Sequence, residues 1–399
     1  MAVRYMRKQL TIFSLAVVLI AGFTLMACGG GNNNTTPAID TDSLFDLSAM
    51  RFVINIKLGL NLGNCFDAFG GNSGMTVDQL ETLWSKHQTT LKNIQGIKAG
   101  GFNVIRIPVT WAKALDTTGG AVTIRSDWMI RITEVVDWAL DEGMFVILNT
   151  HNDSAAEYPV DFIFPLKDTD VDQGLALFRA IWRQIAENFK FYPAELIFEG
   201  LNEPSETTNG VRDWDGCPEY YNNLNKYYQA FVDEVRATGE NNAKRFLICN
   251  TYFGGGTAAQ VNGLTLPADT AKDKLIVGFH SYNPSSLCLP DAQTTWDGDT
   301  EIFTGAMNLV YNKFGPKGVP AIISEFGIMN KDNMDTRTAW SEAFVREAKK
   351  RGMPCIWWDN GAAYGSPDEE LLGFYDRDND DFFFPELLDA LKTGAGLTE

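Results

Sequence analysis

Eight short apolar runs recur along this chain, and most are followed by a stretch with helical spacing. The runs are Lys57–Asn61, Asn103–Ile107, Met144–Leu148, Glu195–Phe198, Arg245–Cys249, Leu275–Phe279, Ala321–Ile323 and Pro354–Trp357. Short continuous apolar runs suit strands buried on both faces. Between them lie the amphipathic stretches Leu91–Ala99, Trp128–Glu142, Gly174–Phe189, Glu219–Ala237, Gly298–Phe314 and Thr336–Arg351. Gly100-Gly101, Gly143 and Gly352 stand where helix C-caps belong. The helical pattern is weak only between the fifth and sixth runs. Alternation of this kind predicts an α/β fold with a parallel sheet, and eight units predict a closed (β/α)8 TIM barrel. An open doubly wound sheet is the alternative. It usually carries a Gly-rich phosphate turn after its first strand, and no G-x-G-x-x-G follows here.

The chain has 399 residues, more than one barrel requires. The excess lies at the N-terminus. Arg4, Arg7 and Lys8 precede an uncharged, largely apolar run from residue 10 to residue 27, and Leu25-Met26-Ala27-Cys28 closes it. This is the pattern of a secretory signal. A Cys at the cut resembles a bacterial lipobox, which implies cleavage before Cys28 and lipid on its thiol. The alternative is an uncleaved signal anchor spanning a membrane. Residues 28–43 are Gly- and Asn-rich and read as a flexible tether. The expected organisation is a signal at 1–27, a linker at 28–43 and a single catalytic domain at 44–399. The expected location is the cell envelope, lipid-anchored at the outer membrane or cell surface.

In such barrels the chemistry sits at the C-terminal ends of the strands. Those ends deliver Asn61, Asn64 and Asp67; Arg106, Pro108 and Trp111; His151 and Asn152; Glu199, Asn202 and Glu203; Asn250 and Tyr252; His280 and Tyr282; Glu325; and Trp357, Trp358, Asp359 and Asn360. Any one could be a satisfied core polar group. The set is harder to dismiss, because separate core satisfactions need not all choose one end. Glu203 and Glu325 each close an apolar run, where an acid costs desolvation unless something uses it. Two carboxylates facing one pocket suit glycoside hydrolysis: one protonates the leaving oxygen and the other attacks the anomeric carbon. A metal site of acids and His is the competing reading. It is disfavoured because the acids lack metal-typical clustering in sequence. Glu199 reads as structural.

The motifs GLNLGNCFD (59–67), GFNVIRIP (101–108), VILNTH (146–151), LIFEGLNEP (196–204), VRATGENNAKRFL (235–247), HSYNP (280–284), ISEFG (323–327) and PCIWWDNG (354–361) resemble glycoside hydrolase family 5 of clan A. They are most similar to its subfamily 4 of endo-β-1,4-glucanases and xyloglucanases. The resemblance runs from about Met50 to the last helix. It implies Glu203 as general acid/base and Glu325 as nucleophile of a retaining endo-hydrolase. It implies Asn202 on the sugar's 2-hydroxyl and Arg106 beneath Glu325, favouring its ionised form. Tyr282 would donate to Glu325, His280 would neighbour Glu203, His151 would contact the sugar, and Trp358 would stack on it. Asn64 is a further candidate for the substrate site. No metal or organic cofactor is implied.

Departures concern the flanks of the site. Leu60 stands where the family often has Trp, which removes one aromatic wall. Asn152 replaces a second His, and DSAAEY at 153–158 replaces a Gly- and Trp-bearing segment. Trp296 is either the lining of a positive subsite or an ordinary packing residue. The catalytic domain therefore suits cellulose, xyloglucan or mixed-linkage glucan. A β-mannanase and a non-catalytic glycan-binding lipoprotein remain as alternatives. The chain carries 51 acids against 33 bases, and such a surface repels phosphate backbones, so nucleic acid is not an expected partner. A monomer is expected. Cys65, Cys217, Cys249, Cys288 and Cys355 form no evident disulfide framework, and a Cys217–Cys288 bridge is left open.

Overall fold

The computed structural model describes residues 44–118, 120–156 and 162–398. The expected signal, Cys28 and the whole expected tether, residues 1–43, lie outside the described residues. Eight parallel strands close into a barrel: β1 Leu58–Asn61, β2 Val104–Ile107, β3 Phe145–Asn149, β4 Leu196–Glu199, β5 Leu247–Asn250, β6 Leu275–Ser281, β7 Ala321–Phe326 and β8 Cys355–Trp357. Neighbours in sequence are neighbours in the sheet, and β8 returns to pair with β1. The open-sheet alternative is thereby excluded.

The outer ring is α1 Leu91–Ala99, α2 Ser126–Asp141, α3 Val171–Phe189, α4 Pro218–Ala237, α5 Ala258–Gly263, α6 Glu301–Phe314, α7 Met334–Lys350 and α8 Pro385–Ala395. Local chemistry sets their ends. Thr90 with Asn93 and Thr257 with Gln260 form reciprocal caps that satisfy the first free amides of α1 and α5. Gly143 and Gly352 follow α2 and α7 with φ of 68° and 66°, a conformation that suits Gly after a helix. The weak pattern between the fifth and sixth runs corresponds to α5, the shortest of these eight helices.

The strand runs look uniformly apolar, yet their two faces do different work. Outward residues such as Leu60, Ile105, Leu148, Phe198, Phe279 and Trp357 join the core beneath the helices. Inward residues Val104, Ile147, Ile197, Ile248, Ile276, Ile322 and Ile356 form a second cluster with the short helix Ala49–Val53. Phe52 of that helix is fully buried, stacks on Phe246 at 3.7 Å and meets Phe145 edge-on at 5.5 Å. It closes the N-terminal end of the barrel. Leu60 is a correction to the sequence reading. Its side chain packs in the outer core, so it removes no wall from a cleft.

All five described cysteines are free thiols, so no Cys217–Cys288 bridge exists. Among the described residues, no helix is long and apolar enough to cross a membrane. Replacing Phe52 by Ala should cost about 3–5 kcal/mol of stability. A denaturant melt would read this, and turnover measured below the transition should be unchanged. An unmoved midpoint would show that the barrel floor does not depend on this ring.

Candidate active site

The inward alternation that builds the floor also builds the site one layer higher. Asn61, Arg106, Asn149, Glu199, Asn250 and His280 follow the inward apolar residues at period two, and all are buried. Arg106 is the centre. Its Nε and Nη2 hold Glu199 at 2.6 and 2.9 Å. Nη1 donates to Asn61 Oδ1 at 2.9 Å and to Glu325 Oε1 at 2.7 Å. Nη2 also reaches Asn202 Oδ1 at 2.7 Å. The guanidinium is planar with five donors, which is why one side chain can serve two carboxylates and two amides. Burial disfavours its charge, but the charges of Glu199 and Glu325 more than compensate, and its pKa rises.

Glu325 reaches the interior through an irregularity. Ile322 faces inward and Ile323 outward, so strict alternation would turn Glu325 towards the helices. The pairing of β7 slips against β6 beyond Ile323, and again against β8. Such a bulge re-aims the side chains that follow it. Glu325 then lies opposite His280 in register.

The two acids differ in surroundings. Glu325 accepts from Arg106 and, at 3.0 Å, from the Tyr282 hydroxyl, and its side chain is 6% exposed. Glu203 is 21% exposed and shares a 2.7 Å hydrogen bond with His280 Nδ1. Arg212 stands 3.5 Å from its other oxygen. Burial raises the Glu325 carboxyl, and with the nearby charge of Glu203 it outweighs the pull of His280 and Arg106. Burial also acts on Glu203, but the hydrogen bond and charge of His280, helped by Arg212 and Arg106, bring it below its ordinary value. Burial disfavours the His280 imidazolium, yet Glu325 and Glu203 together raise it. Both shifts favour a Glu203 carboxylate paired with a His280 imidazolium. His151 is driven well down by burial and by the charges of Arg106 and His280, so it is neutral. Burial and the two acids push the Tyr282 phenol far up, so it stays a donor.

His151 and Trp358 lie with their rings nearly parallel, 5.6 Å apart. The fold therefore joins Arg106, Asn202, Glu203, His280, Tyr282 and Glu325 into one network and sets the His151–Trp358 pair as an aromatic surface. The Asn64 amide donates to the Asn360 carbonyl at 3.2 Å and clasps two loops. Asn152 ties the β3 loop to the Asp67 carbonyl at 2.8 Å. Glu199 is structural, as expected, beneath the site. Trp296 donates to the Asp299 carbonyl, packs near Phe303 and borders a surface hollow with Pro284, Gln293 and Ile302. Arg212 escaped the sequence reading. It comes from a hairpin after β4, where no periodicity marks it.

One expectation about clustering is corrected. Glu203, His280 and Glu325 each place a ligand atom within 4.8 Å of the others, a spacing that could hold a metal ion. Sequence separation hid this cluster. Charge opposes a cation there: Arg106 already occupies Glu325, and the raised His280 favours imidazolium, which has no lone pair to give.

Two facing carboxyls at the C-terminal mouth of an eight-stranded parallel barrel define a glycoside hydrolase. The model of cellulases, glycosyl hydrolase family 5, matches residues 67–364. The chain is 36% identical over 355 residues to Endoglucanase B of Ruminococcus albus, spanning 89% of this chain and 82% of that one. A solved GH5-4 broad specificity endoglucanase from Ruminococcus champanellensis with bound cellotriose is 37% identical at a TM-score of 0.80. That match covers 87% of this chain and 98% of the other. A family 5 lichenase from Caldicellulosiruptor sp. F32, solved as a mutant with cellotetraose, is 32% identical at a TM-score of 0.79, covering 95% and 100%. The chain belongs to glycoside hydrolase family 5 and is an enzyme of the endoglucanase type.

Arg106→Met should leave Glu199 as an uncompensated buried charge and cost about 3–5 kcal/mol. Adding Glu199→Met should recover part of that loss without restoring turnover. Strictly additive losses in thermal melts would show that the pair is not coupled.

Proposed function

We propose that this enzyme cleaves internal β-1,4 linkages of a glucan with retention of anomeric configuration. The observation that carries the reading is the Glu203–Glu325 separation, with one oxygen of each within 4.8 Å. Retaining enzymes hold their carboxyls about 5–5.5 Å apart, whereas inverting ones leave room for a water between them. Glu325 attacks the anomeric carbon while a proton passes to the departing glycosidic oxygen, giving a glycosyl-enzyme. Water then enters, Glu203 takes its proton, and the sugar–Glu325 bond breaks.

The division of labour follows from surroundings. Arg106 and Tyr282 fix both oxygens of Glu325, so its attacking lone pair has a set direction. Glu203 is the more exposed acid and can meet a leaving group. Its 2.7 Å hydrogen bond with His280 Nδ1 offers a path for a proton to reach it as substrate displaces water. Asn202 spends its carbonyl on Arg106, which leaves its NH2 to donate to a sugar hydroxyl. Neutral His151 and the face of Trp358 suit the polar edge and the C–H face of a pyranose. This chemistry calls for no cofactor. Relatives crystallised with cellotriose or cellotetraose, one of them a lichenase, support a β-glucan substrate.

For the N-terminus we propose cleavage before Cys28 and lipid attachment, placing a monomeric barrel at the cell envelope on its tether. Blocking lipoprotein processing should leave a heavier precursor in the membrane fraction. An unchanged mass would refute the anchor.

Glu325→Gln should abolish turnover while oligosaccharide still binds by calorimetry. Glu203→Ala should lose far more activity on β-glucan than on an aryl cellobioside whose leaving group needs no proton; equal losses would remove its acid role. Release of new reducing ends from cellulose, xyloglucan, lichenan and mannan would fix the preferred polymer.

The kcat/KM profile against pH should be bell-shaped. The nucleophile must be ionised and its pKa is raised, so the acidic limb should lie above the ordinary glutamate value of about 4.3. The proton-bearing pair needs its proton and His280 is raised, so the alkaline limb should lie above about 6.5. A His280→Asn variant should move the alkaline limb. A limb left in place would exclude His280 from the proton store.

A further inference from the structure

Glu203 has two tasks in the proposed double displacement, and they ask for opposite protonation states. It must carry a proton to the leaving oxygen and must later be a bare carboxylate that accepts one from water. His280, at its Oε1, serves both states because the shared proton can sit on either partner. The group facing Oε2 cannot do this. Arg212 Nη2 lies 3.5 Å away, too long for a strong hydrogen bond and close enough for a charge to act. A guanidinium keeps its charge throughout the working pH range, so it favours the carboxylate at every stage.

The placement of Arg212 is built. β4 leads through Glu203 into a hairpin of Glu206–Thr208 and Val211–Asp213. Its turn is Asn209-Gly210, with φ of 53° and 77°, the left-handed pair that a tight two-residue hairpin turn requires. Arg212 sits on the returning strand. Its Nε donates to Ser205 Oγ at 3.2 Å. Its guanidinium lies over the Phe253 ring at 4.0 Å and near Trp214 at 5.4 Å, and the two rings meet edge-on at 4.9 Å. Phe253 is itself fixed, its N–H donating to the Pro204 carbonyl at 2.8 Å. The Tyr252 hydroxyl ties both sides of the hairpin, accepting from the Glu206 N–H and donating to the Asp213 carbonyl. The side chain is only 10% exposed, so solvent screens its charge weakly.

We propose that Arg212 is a positioning residue that biases Glu203 towards its carboxylate form and so promotes the second step, hydrolysis of the glycosyl-enzyme. The inference rests on the double displacement proposed above. In that step water loses a proton to Glu203 as its oxygen bonds to the anomeric carbon and the sugar–Glu325 bond breaks. Removing the cation makes the accepting carboxylate scarcer at a given pH.

The test uses dinitrophenyl β-cellobioside, whose leaving group departs without a proton donor, so that kcat reports the second step. Arg212→Met should lower kcat about tenfold, with KM falling alongside it and kcat/KM nearly unchanged, as the intermediate accumulates. The acidic limb of kcat should move to higher pH, because a Glu203 without its cation protonates more readily. Arg212→Lys should restore most of the rate. Mass spectrometry of quenched wild-type reactions supplies the control. A wild type with no sugar adduct on Glu325 would overturn the double displacement and this proposal with it. An adduct in the wild type, with kcat and its limb unmoved in Arg212→Met, would overturn the role of Arg212 alone. Equal falls in kcat and kcat/KM with no shift in the limb would also overturn it, and would reduce Arg212 to a structural residue.

Discussion

The guanidinium of Arg106 is fully buried at the axis of the barrel and binds groups from β1, β4 and β7, together with Asn202 beyond β4. Several kcal/mol oppose burying such a charge, and only partners with fitting geometry offset this. Glu199 is the main partner, equally buried and engaged by two nitrogens. Asn250 completes the arrangement, donating to Glu199 and to the Leu201 and Asn202 carbonyls. The chain thus places a fixed ion pair beneath its working carboxylates. That pair sets the orientation of Glu325 and of the Asn202 amide before any substrate arrives. Preorganisation of this kind is where much catalytic power resides, because no reorganisation is needed at the moment of reaction.

The same period-two alternation serves stability and chemistry at different heights. Low in the barrel the inward positions are aliphatic and close on Phe52. One step higher they become Asn61, Arg106, Asn149, Glu199, Asn250 and His280, buried polar groups linked to one another and to the loops above. Backbone crowding guards the transition. A Cβ on Gly278 would collide with Asn250 Oδ1, and one on Gly254 would press the His280 ring at 2.8 Å. These two glycines leave room for polar groups whose positions the catalytic pair depends on.

Strand rhythm and helix spacing made the barrel legible, because each repeat must bury a strand on both faces and a helix on one. The boundaries shifted by a few residues. β6 and β7 run on to Ser281 and Phe326 where the sequence reading stopped at Phe279 and Ile323, since polar residues end an apolar run without ending a strand. The grouping of polar residues at strand ends was legible too. The aim of Glu325 was not, because it depends on a slip in pairing that no apolar pattern records. Family motifs supplied that assignment. The same motifs misled at Leu60, where the family's frequent Trp suggested a lost cleft wall although alternation turns this side chain outward. The acid–histidine cluster was hidden because Glu203, His280 and Glu325 are far apart in sequence and meet only in the closed barrel. Arg212 was hidden because it lies on a short hairpin after β4 that no apolar period marks.

Every role assigned above hinges on Glu325 forming a covalent bond with the sugar. The stereochemistry of the first product reports this directly. Proton NMR of a cello-oligosaccharide digestion, recorded before mutarotation, should show the β-anomer of the new reducing end appearing first. Initial appearance of the α-anomer would mean a single displacement by water, and would contradict the account.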